Sequence, residues 1–589
     1  MLTKKGIPVS PGVAIAPAMV LDGEDQPIPR RTVAPNQVPK ELSRLEDALK
    51  ASTAEVLELK DQTTARVGPE LAAIFGFHVG MLTDKTLVGE VRSAIENQRV
   101  TAEFAVYSVL KAMGQKFLQA ESRYMRERVS DVWDLERRIL RHLIGKTRNE
   151  LGQLNTSAVI IAHDLTPSQT ASLDRSKIKG IATDAGGMTS HTAILAHALG
   201  IPAIVGLEDI TTKVNTGDMV VIDGKRGIIT IDPDAEQLML SRKQADRMVA
   251  FEDKLGEIRE LPAETRDGTH INLQANIEFP NEIEQALTNG AKGIGLYRTE
   301  FLYLAAITEP TEEEQYQTYL EAINNLNGLP LTVRTLDLGA DKMDKFSTTG
   351  TDANERNPFL GCRSIRLCLQ NLPLFKVQLR AILRASTAGP VRIMFPLISN
   401  IMELRQSRMI LGDVMEDLEE QGIPYRENIP VGIMVEVPSV AIQAKTFCQE
   451  VDFMSIGTND LIQYTVAVDR GNERIASLYS GAHPAVILLI QGVVRAADKA
   501  SVDVSLCGEM ASVPEYTMLL IGLGLRSMSI TPPALPEIKQ IIRAVSIDQC
   551  RRVARKAATF DSDREVANYL RDQLGKAIPG VFDGRSIGY

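Results

Sequence analysis

The spacing of apolar positions changes its period along the chain, and each change marks a different kind of structure. Residues 2–22 read as short strands around a Ser10-Pro11-Gly12 turn, too few to bury a core alone. From Glu41 the period becomes helical, with Leu42, Leu45, Leu49, Val56 and Leu59 on one face. Similar patterns run through Glu70–Met81, Thr86–Ile95, Ala102–Leu118 and Val129–Leu143, and predict an antiparallel helical bundle inserted after the first strands. At Ser157 the texture switches to short β-branched runs bounded by Gly, Pro or Asp: Ala158–Ala162, Ile178–Thr183, Pro202–Val205 and Met219–Ile222. Helix-like sequence separates them, which predicts an α/β domain that recruits the N-terminal strands. Asp232-Pro233-Asp234 ends it, and Ala235–Glu260 reads as a long charged connecting helix closed by Pro262.

The remainder holds eight strand-like runs, each followed by helical sequence: His270–Asn276, Gly293–Tyr297, Leu331–Leu336, Val391–Phe395, Val431–Val435, Asp452–Ile456, Asp503–Leu506 and Arg526–Ile530. Eight βα units predict a TIM barrel, with its chemistry at the carboxyl ends of the strands. The expected fold class is therefore multidomain α/β: an α/β domain with an inserted helical bundle, then a C-terminal (β/α)8 barrel. The expected boundaries are 1–30 for the N-terminal strands, 31–146 for the insert, 147–232 for the rest of the α/β domain, 233–262 for the linker and 263–589 for the barrel.

Composition sharpens this picture only slightly. At 589 residues, 44% apolar and 24% charged, the chain reads as an ordinary globular protein of several domains. No apolar run approaches the roughly 18 residues of a membrane span, and Pro8 and Pro11 interrupt the N-terminus too early for a signal sequence. A cytoplasmic, non-membrane protein is expected. The net charge of −10 argues against nucleic acid as the main partner. Five scattered cysteines, with no CxxC pair, frame neither disulfides nor a zinc site.

Candidate chemistry lies in two places. Gly186-Gly187-Met188-Thr189-Ser190-His191 follows a strand-like run and opens a helix-like one. Glycines permit the turn, Thr189 or Ser190 can cap the helix, and free N–H groups there favour an anionic group. His191 is thus either a phosphoryl-accepting nucleophile or a hydrogen-bonded residue of a capped turn. In the barrel, the strand ends carry Arg298 and Glu300, Arg334 and Asp337, Glu436, then Asn459, Asp460 and Arg470, and finally Cys507 and Glu509. Glu436 and Asp460 are carboxylates suited to Mg2+. Arg298, Arg334 and Arg470 are forks for phosphate and carboxylate oxygens. Cys507 reads as a nucleophile, a general acid or an inert thiol. Together with an acceptor histidine, these groups point to phosphoryl transfer from a phospho-enol acid, with Cys507 protonating the enolate carbon.

The segments 186–194, Gly-Leu-Tyr-Arg-Thr-Glu-Phe-Leu (295–302), Asn-Pro-Phe-Leu-Gly-Cys-Arg (357–363) and Ser-Ile-Gly-Thr-Asn-Asp-Leu-Ile-Gln-Tyr (455–464) resemble Enzyme I, the phosphoenolpyruvate–protein phosphotransferase family of the bacterial phosphotransferase system. The resemblance covers essentially the whole chain. It implies that phosphoenolpyruvate phosphorylates His191 with release of pyruvate, and that the group passes to the histidine phosphocarrier protein HPr in the first step of sugar uptake or of a nitrogen-type regulatory branch. It implies Arg298, Arg334, Asn459 and Arg470 as substrate contacts with Asp460, Glu436 and Asp460 as Mg2+ ligands, and Cys507 as the acid. It also implies Thr170 as hydrogen-bond partner of the phosphohistidine, a helical insert around Glu70–Met81, including His78, that docks HPr, and a homodimer formed through the barrel.

The chain departs from the family pattern at Met188, where Arg is usual, and at Cys362, where Trp is usual; Gly524–Ser529 is closer to the nitrogen-type wording. The alternative is a pyruvate phosphate dikinase or phosphoenolpyruvate synthase relative lacking its ATP domain, since the helical block has no GxxxxGK[ST] loop. A non-enzymatic binding protein on the same scaffold is disfavoured because acceptor, metal ligands, arginines and acid are all present.

Overall fold

Short β-branched segments are held in the interior of two separate sheets. In the computed structural model, residues 2–10, 12–21, 28–67, 69–118, 129–144, 157–165, 177–187, 192–193, 196, 200–305, 309–339, 357–470, 472, 475 and 478–578 are described. The chain divides into two units that meet in sequence between Ala250 and Phe251. Among the described residues no helix is long and apolar enough to cross a membrane.

The first unit contains β1 (Leu2–Lys5), β2 (Ile7–Ser10), β3 (Val13–Leu21), β4 (Ala158–Ala162), β5 (Ile178–Thr183), β6 (Ala203–Val205), β7 (Met219–Asp223) and β8 (Ile228–Ile231). They form one sheet in the order β1-β8-β7-β3-β4-β5-β6-β2. β3, β4, β5 and β6 run parallel, and β4 is buried at every position, as expected for a strand covered on both faces. β8 is absent from the predicted set. Its Ile-Ile-Thr-Ile sequence is strand-like, and it closes an antiparallel ribbon between β1 and β7. At the carboxyl edge of the parallel strands, Asp184 N donates to Ala162 O at 3.1 Å and Ala185 N to His163 O at 2.8 Å. The chain then turns at Gly186, whose φ of 104° suits glycine.

Among the described residues between β3 and β4, the helices Val38–Val67, Pro69–Thr83, Lys85–Gln98, Ala102–Leu118 and Val129–Ile144 match the predicted bundle closely. Their shared core holds Leu45, Val56, Phe75, Ile95, Val106, Leu110, Val132 and Leu135, each worth about 1.5–3 kcal/mol when fully buried. One expectation fails here. His78, read as part of a docking surface, is fully buried, with Nε2 3.4 Å from Asp131 and Nδ1 3.6 Å from Asp134. It also packs edge-on against Phe75, so the helix turns this face inward.

The linker helix spans Ala235–Ile258, and Asp234 caps it by accepting Gln237 N at 2.8 Å. In the second unit, β9 (Asn272–Ile277), β10 (Ile294–Tyr297), β11 (Leu331–Arg334), β12 (Val391–Phe395), β13 (Val431–Val435), β14 (Phe453–Ile456), β15 (Asp503–Leu506) and β16 (Ser527–Ile530) close into a parallel barrel, with β16 pairing to β9. Helices follow the strands and cover the outside, with caps such as the Thr311–Glu314 capping box. Leu296, Met394, Met434, Phe453 and Cys507 form a distinct buried cluster. The expected (β/α)8 architecture is therefore present.

Candidate active site at the carboxyl end of the barrel

The strand ends deliver their charged residues into one connected set. Arg334 is the last residue of β11 and lies buried. Its Nη2 donates to Glu300 Oε1 at 2.8 Å, and its Nη1 lies 2.9 Å from Asp337 Oδ2. Asp337 Oδ1 accepts Arg363 Nη2 at 2.9 Å, and the same Nη2 lies 3.7 Å from Asp460 Oδ2. Carboxylate oxygens of Asp337, Glu436 and Asp460 lie within 4.8 Å of one another, and all three residues are buried. Negative and positive groups thus alternate from Glu300 to Asp460, with Glu436 beside them.

Among these six linked groups, two guanidinium groups face four carboxylates. Their ionisation reflects that surplus. Burial, reinforced by Asp337 and Asp460, raises the Glu436 carboxyl well above its ordinary range. Burial and the Asp337 charge likewise raise Asp460, and burial raises Glu300 despite its bridge to Arg334. Asp337 alone goes the other way: burial opposes its charge, but Arg334 and Arg363 outweigh it and hold the carboxyl at about 2. Asp460 Oδ1 is buried with no hydrogen-bond partner among the described residues. Two more carboxyl than guanidinium groups, and an unpartnered carboxylate oxygen, fit a divalent cation bound by oxygen ligands. The donor set is all oxygen, as a hard ion requires.

The other predicted residues surround this core. Arg298 follows β10, and its Nη1 donates to Glu278 at 2.6 Å. Asn459 and Asp460 lie in the first turn of the helix Thr458–Val466 that follows β14. Asn459 and Glu509 exchange two hydrogen bonds at 2.8 Å, and Arg470 Nη1 reaches the same Glu509 at 3.7 Å. Cys507 follows β15, and its Sγ lies 3.7 Å from Ile456 O. Burial pushes this thiol up to about 11. The adjoining Gly508 is required: a Cβ there would stand 1.9 Å from Thr458 Oγ1 and 2.5 Å from its backbone nitrogen. His191 and Thr170 lie outside the described residues, as do Met188, Thr189 and Ser190.

Three members of the array had no role assigned from the sequence. Glu300 and Asp337 are strand-end residues, and Arg363 ends the 357–363 motif. Neither spacing nor residue type shows that Asp337 and Arg363 pair with each other across the gap between them.

Comparison with known proteins identifies the family of the chain. The model for the PEP-utilising enzyme, PEP-binding domain matches residues 252–547; those for the N-terminal and mobile domains match 5–128 and 154–227. The chain is a phosphoenolpyruvate-utilising enzyme by its domains and fold. A phosphoenolpyruvate-protein phosphotransferase of Geobacillus stearothermophilus is 41% identical over 97% of this chain and 98% of its own length. One from Staphylococcus aureus (strain MSSA476) is 38% identical over 97% and 99%. An NMR solution structure of Enzyme I is 35% identical, covering 41% of this chain and 98% of its own, with a TM-score of 0.36. The chain belongs to the phosphoenolpyruvate–protein phosphotransferase family and is an enzyme of that kind.

Proposed function

We propose that the barrel mouth binds phosphoenolpyruvate and transfers its phosphoryl group to His191, and that the group then passes to HPr. The alternating array from Glu300 to Asp460 is the observation that carries this reading, because it offers both cationic forks and a surplus of buried acid at one end of the barrel. Arg298, Arg334 and Arg470 supply donors for the phosphate and carboxylate oxygens, and Asn459 supplies an amide beside them. Arg334 Nε, buried with no partner among the described residues, is one donor left over for a ligand. Glu436 and Asp460 would hold Mg2+, which neutralises charge on the phosphoryl group during transfer.

In the reaction, the bridging P–O bond breaks as a His191 nitrogen–phosphorus bond forms, and the electron pair stays on the enolate oxygen. The Cys507 thiol gives its proton to the methylene carbon, which yields pyruvate, and the thiolate regains a proton from water. A thiol held at about 11 keeps that proton at neutral pH. His191 must come within about 3–3.5 Å of the phosphorus, so its domain must swing between donor and carrier, with hinges near Asp232–Asp234 and Pro262. Thr170 would hydrogen-bond the phosphohistidine. The helical insert would dock HPr without the buried His78, and the barrel would form the homodimer. The relatives' names support a phosphotransferase role; sugar uptake, or a nitrogen-type branch, is the further step of this reading.

Labelled phosphoenolpyruvate with Mg2+ tests it. The expected result is acid-labile, base-stable phosphate on the protein, chased onto HPr and absent in His191→Ala. Label that survives in His191→Ala sinks the assignment.

A further inference from the structure

We propose that Asp337 is a positioning residue for the phosphoryl group: it holds Arg334 and Arg363 side by side so that both can face one phosphate. The inference rests on the reading of the barrel mouth as a phosphoenolpyruvate site. Its two oxygens are divided between the two guanidinium groups, Oδ2 to Arg334 and Oδ1 to Arg363, each at 2.9 Å. Like charges brought this near repel, and an anion between them offsets that repulsion by attracting both. Asp337 is that anion while no phosphate is bound.

Asp337 is itself fixed from both sides. Its backbone N–H donates at 3.1 Å to Glu300 Oε1, the same oxygen that accepts Arg334 Nη2 at 2.8 Å. One carboxylate oxygen therefore sets the position of Asp337 and the direction of Arg334 together. On the other side, Gly339 bridges to Arg363, and Ser364 N donates to Leu338 O at 2.8 Å. Ser364 adopts φ 57°, ψ −132°, a conformation that a non-glycine residue keeps only when its surroundings enforce it. These contacts tie Arg363 to the strand extension that carries Asp337, although the two are far apart in sequence. Arg334 then retains an unpartnered buried Nε–H among the described residues, a donor with no structural use.

An asparagine cannot replace this carboxylate. It has one acceptor oxygen, and its NH2 group would confront one of the two guanidinium groups. The loss falls on phosphate recognition and spares ligands that need only the metal-side carboxylates. Oxalate, a planar dicarboxylate resembling the enolate of pyruvate, is such a probe.

The test is calorimetric titration of the full-length His191→Ala protein, which does not consume the substrate, with and without Asp337→Asn, in Mg2+. The expected result is about a tenfold or greater loss of phosphoenolpyruvate affinity, with oxalate affinity changed by less than about threefold. Equal losses for both ligands would mean that Asp337 serves the metal pocket or the local fold, and would overturn the proposal. Phosphoenolpyruvate affinity that is unchanged or raised would overturn it as well. If the asparagine variant does not fold, Asp337→Ala removes the charge without adding a donor and answers the same question. A parent protein that binds oxalate but not phosphoenolpyruvate removes the underlying site reading, and Asp337's role falls with it.

Discussion

Two buried or half-buried ionic clusters in this chain have opposite electrostatic characters. In the helical bundle, Glu55 meets Arg138 at 2.8 Å, His142 at 3.0 Å and Arg141, while Arg44 joins Glu41 at 2.8 Å and Glu103. Taken together, these three acids meet three arginines and His142, although Arg44 itself is shared by two of them. Burial works against the Glu55 charge, but Arg138 and Arg141 prevail and its carboxyl is lowered; Glu103 is lowered beside Arg44 in the same way. At the barrel mouth the acids outnumber the bases, and Glu436, Asp460 and Glu300 are all raised. Matched pairs stabilise a fold, whereas uncompensated buried carboxylates cost stability and persist where an ion or substrate completes the charge. Compensation by neighbouring bases, rather than burial itself, therefore distinguishes the two clusters; Asp337, paired with both guanidinium groups, is the lowered exception at the barrel mouth.

The largest expected effect follows from removing one of the surplus charges. Glu436→Gln, or Asp460→Asn, is expected to lower Mg2+-dependent pyruvate formation about a thousandfold or more. Steady-state assays that show less than a tenfold loss would dissolve the distinction between the two clusters. Cys507→Ala comes next: loss of a general acid costs about 10²–10⁴-fold in rate, while phosphoenolpyruvate binding stays near that of the parent. If binding is lost instead, the cysteine's assignment as acid is wrong.

The same thiol affects stability in alkali. With its value raised from 9.0 to about 11, the folded state retains a proton that the unfolded chain releases. Stability is then fully present below about pH 9 and declines by about 3 kcal/mol as pH rises towards 11. Urea titrations from pH 8 to 11 should show this decline in the parent and a shallower one in Cys507→Ala. The smallest effect belongs to the bundle. Glu55→Gln leaves Arg138 and Arg141 without their shared acid and, allowing for partial exposure, is expected to cost about 1–2 kcal/mol. Its rate of phosphoryl transfer from phosphoenolpyruvate to His191 should not change.

Much of this architecture was legible in the residues. Val391–Phe395, Val431–Val435 and Asp503–Leu506 form strands with the predicted bounds, because each is a short apolar or alternating run cut off sharply by Gly, Pro or charge. β8 escaped because its four residues follow closely on β7 and show too little periodicity to stand apart. Charged residues at strand ends gave the barrel mouth its outline, since topology alone sends them to one rim. What sequence does not encode locally is pairing: Asp337 joins Arg334 three positions back and Arg363 much further on, and the Gly339–Arg363 bridge in the connection after β11 brings the latter pair together. His78 shows the opposite error. The family resemblance implied a docking surface that includes it, but Asp131 and Asp134 face it from a helix more than fifty positions away.

The contrast between the clusters is tested most directly by the melting of the barrel in the full chain, with and without Mg2+, for the parent and for Glu436→Gln. The expected result has three parts. Without the cation the variant melts no lower than the parent, because a costly buried charge is gone. The parent then gains about 2.7 kcal/mol at a cation concentration of a hundred times its dissociation constant. The variant gains little. A Glu436→Gln barrel that melts clearly below the parent in the absence of Mg2+ would show that this carboxylate is scaffold, and would contradict the account.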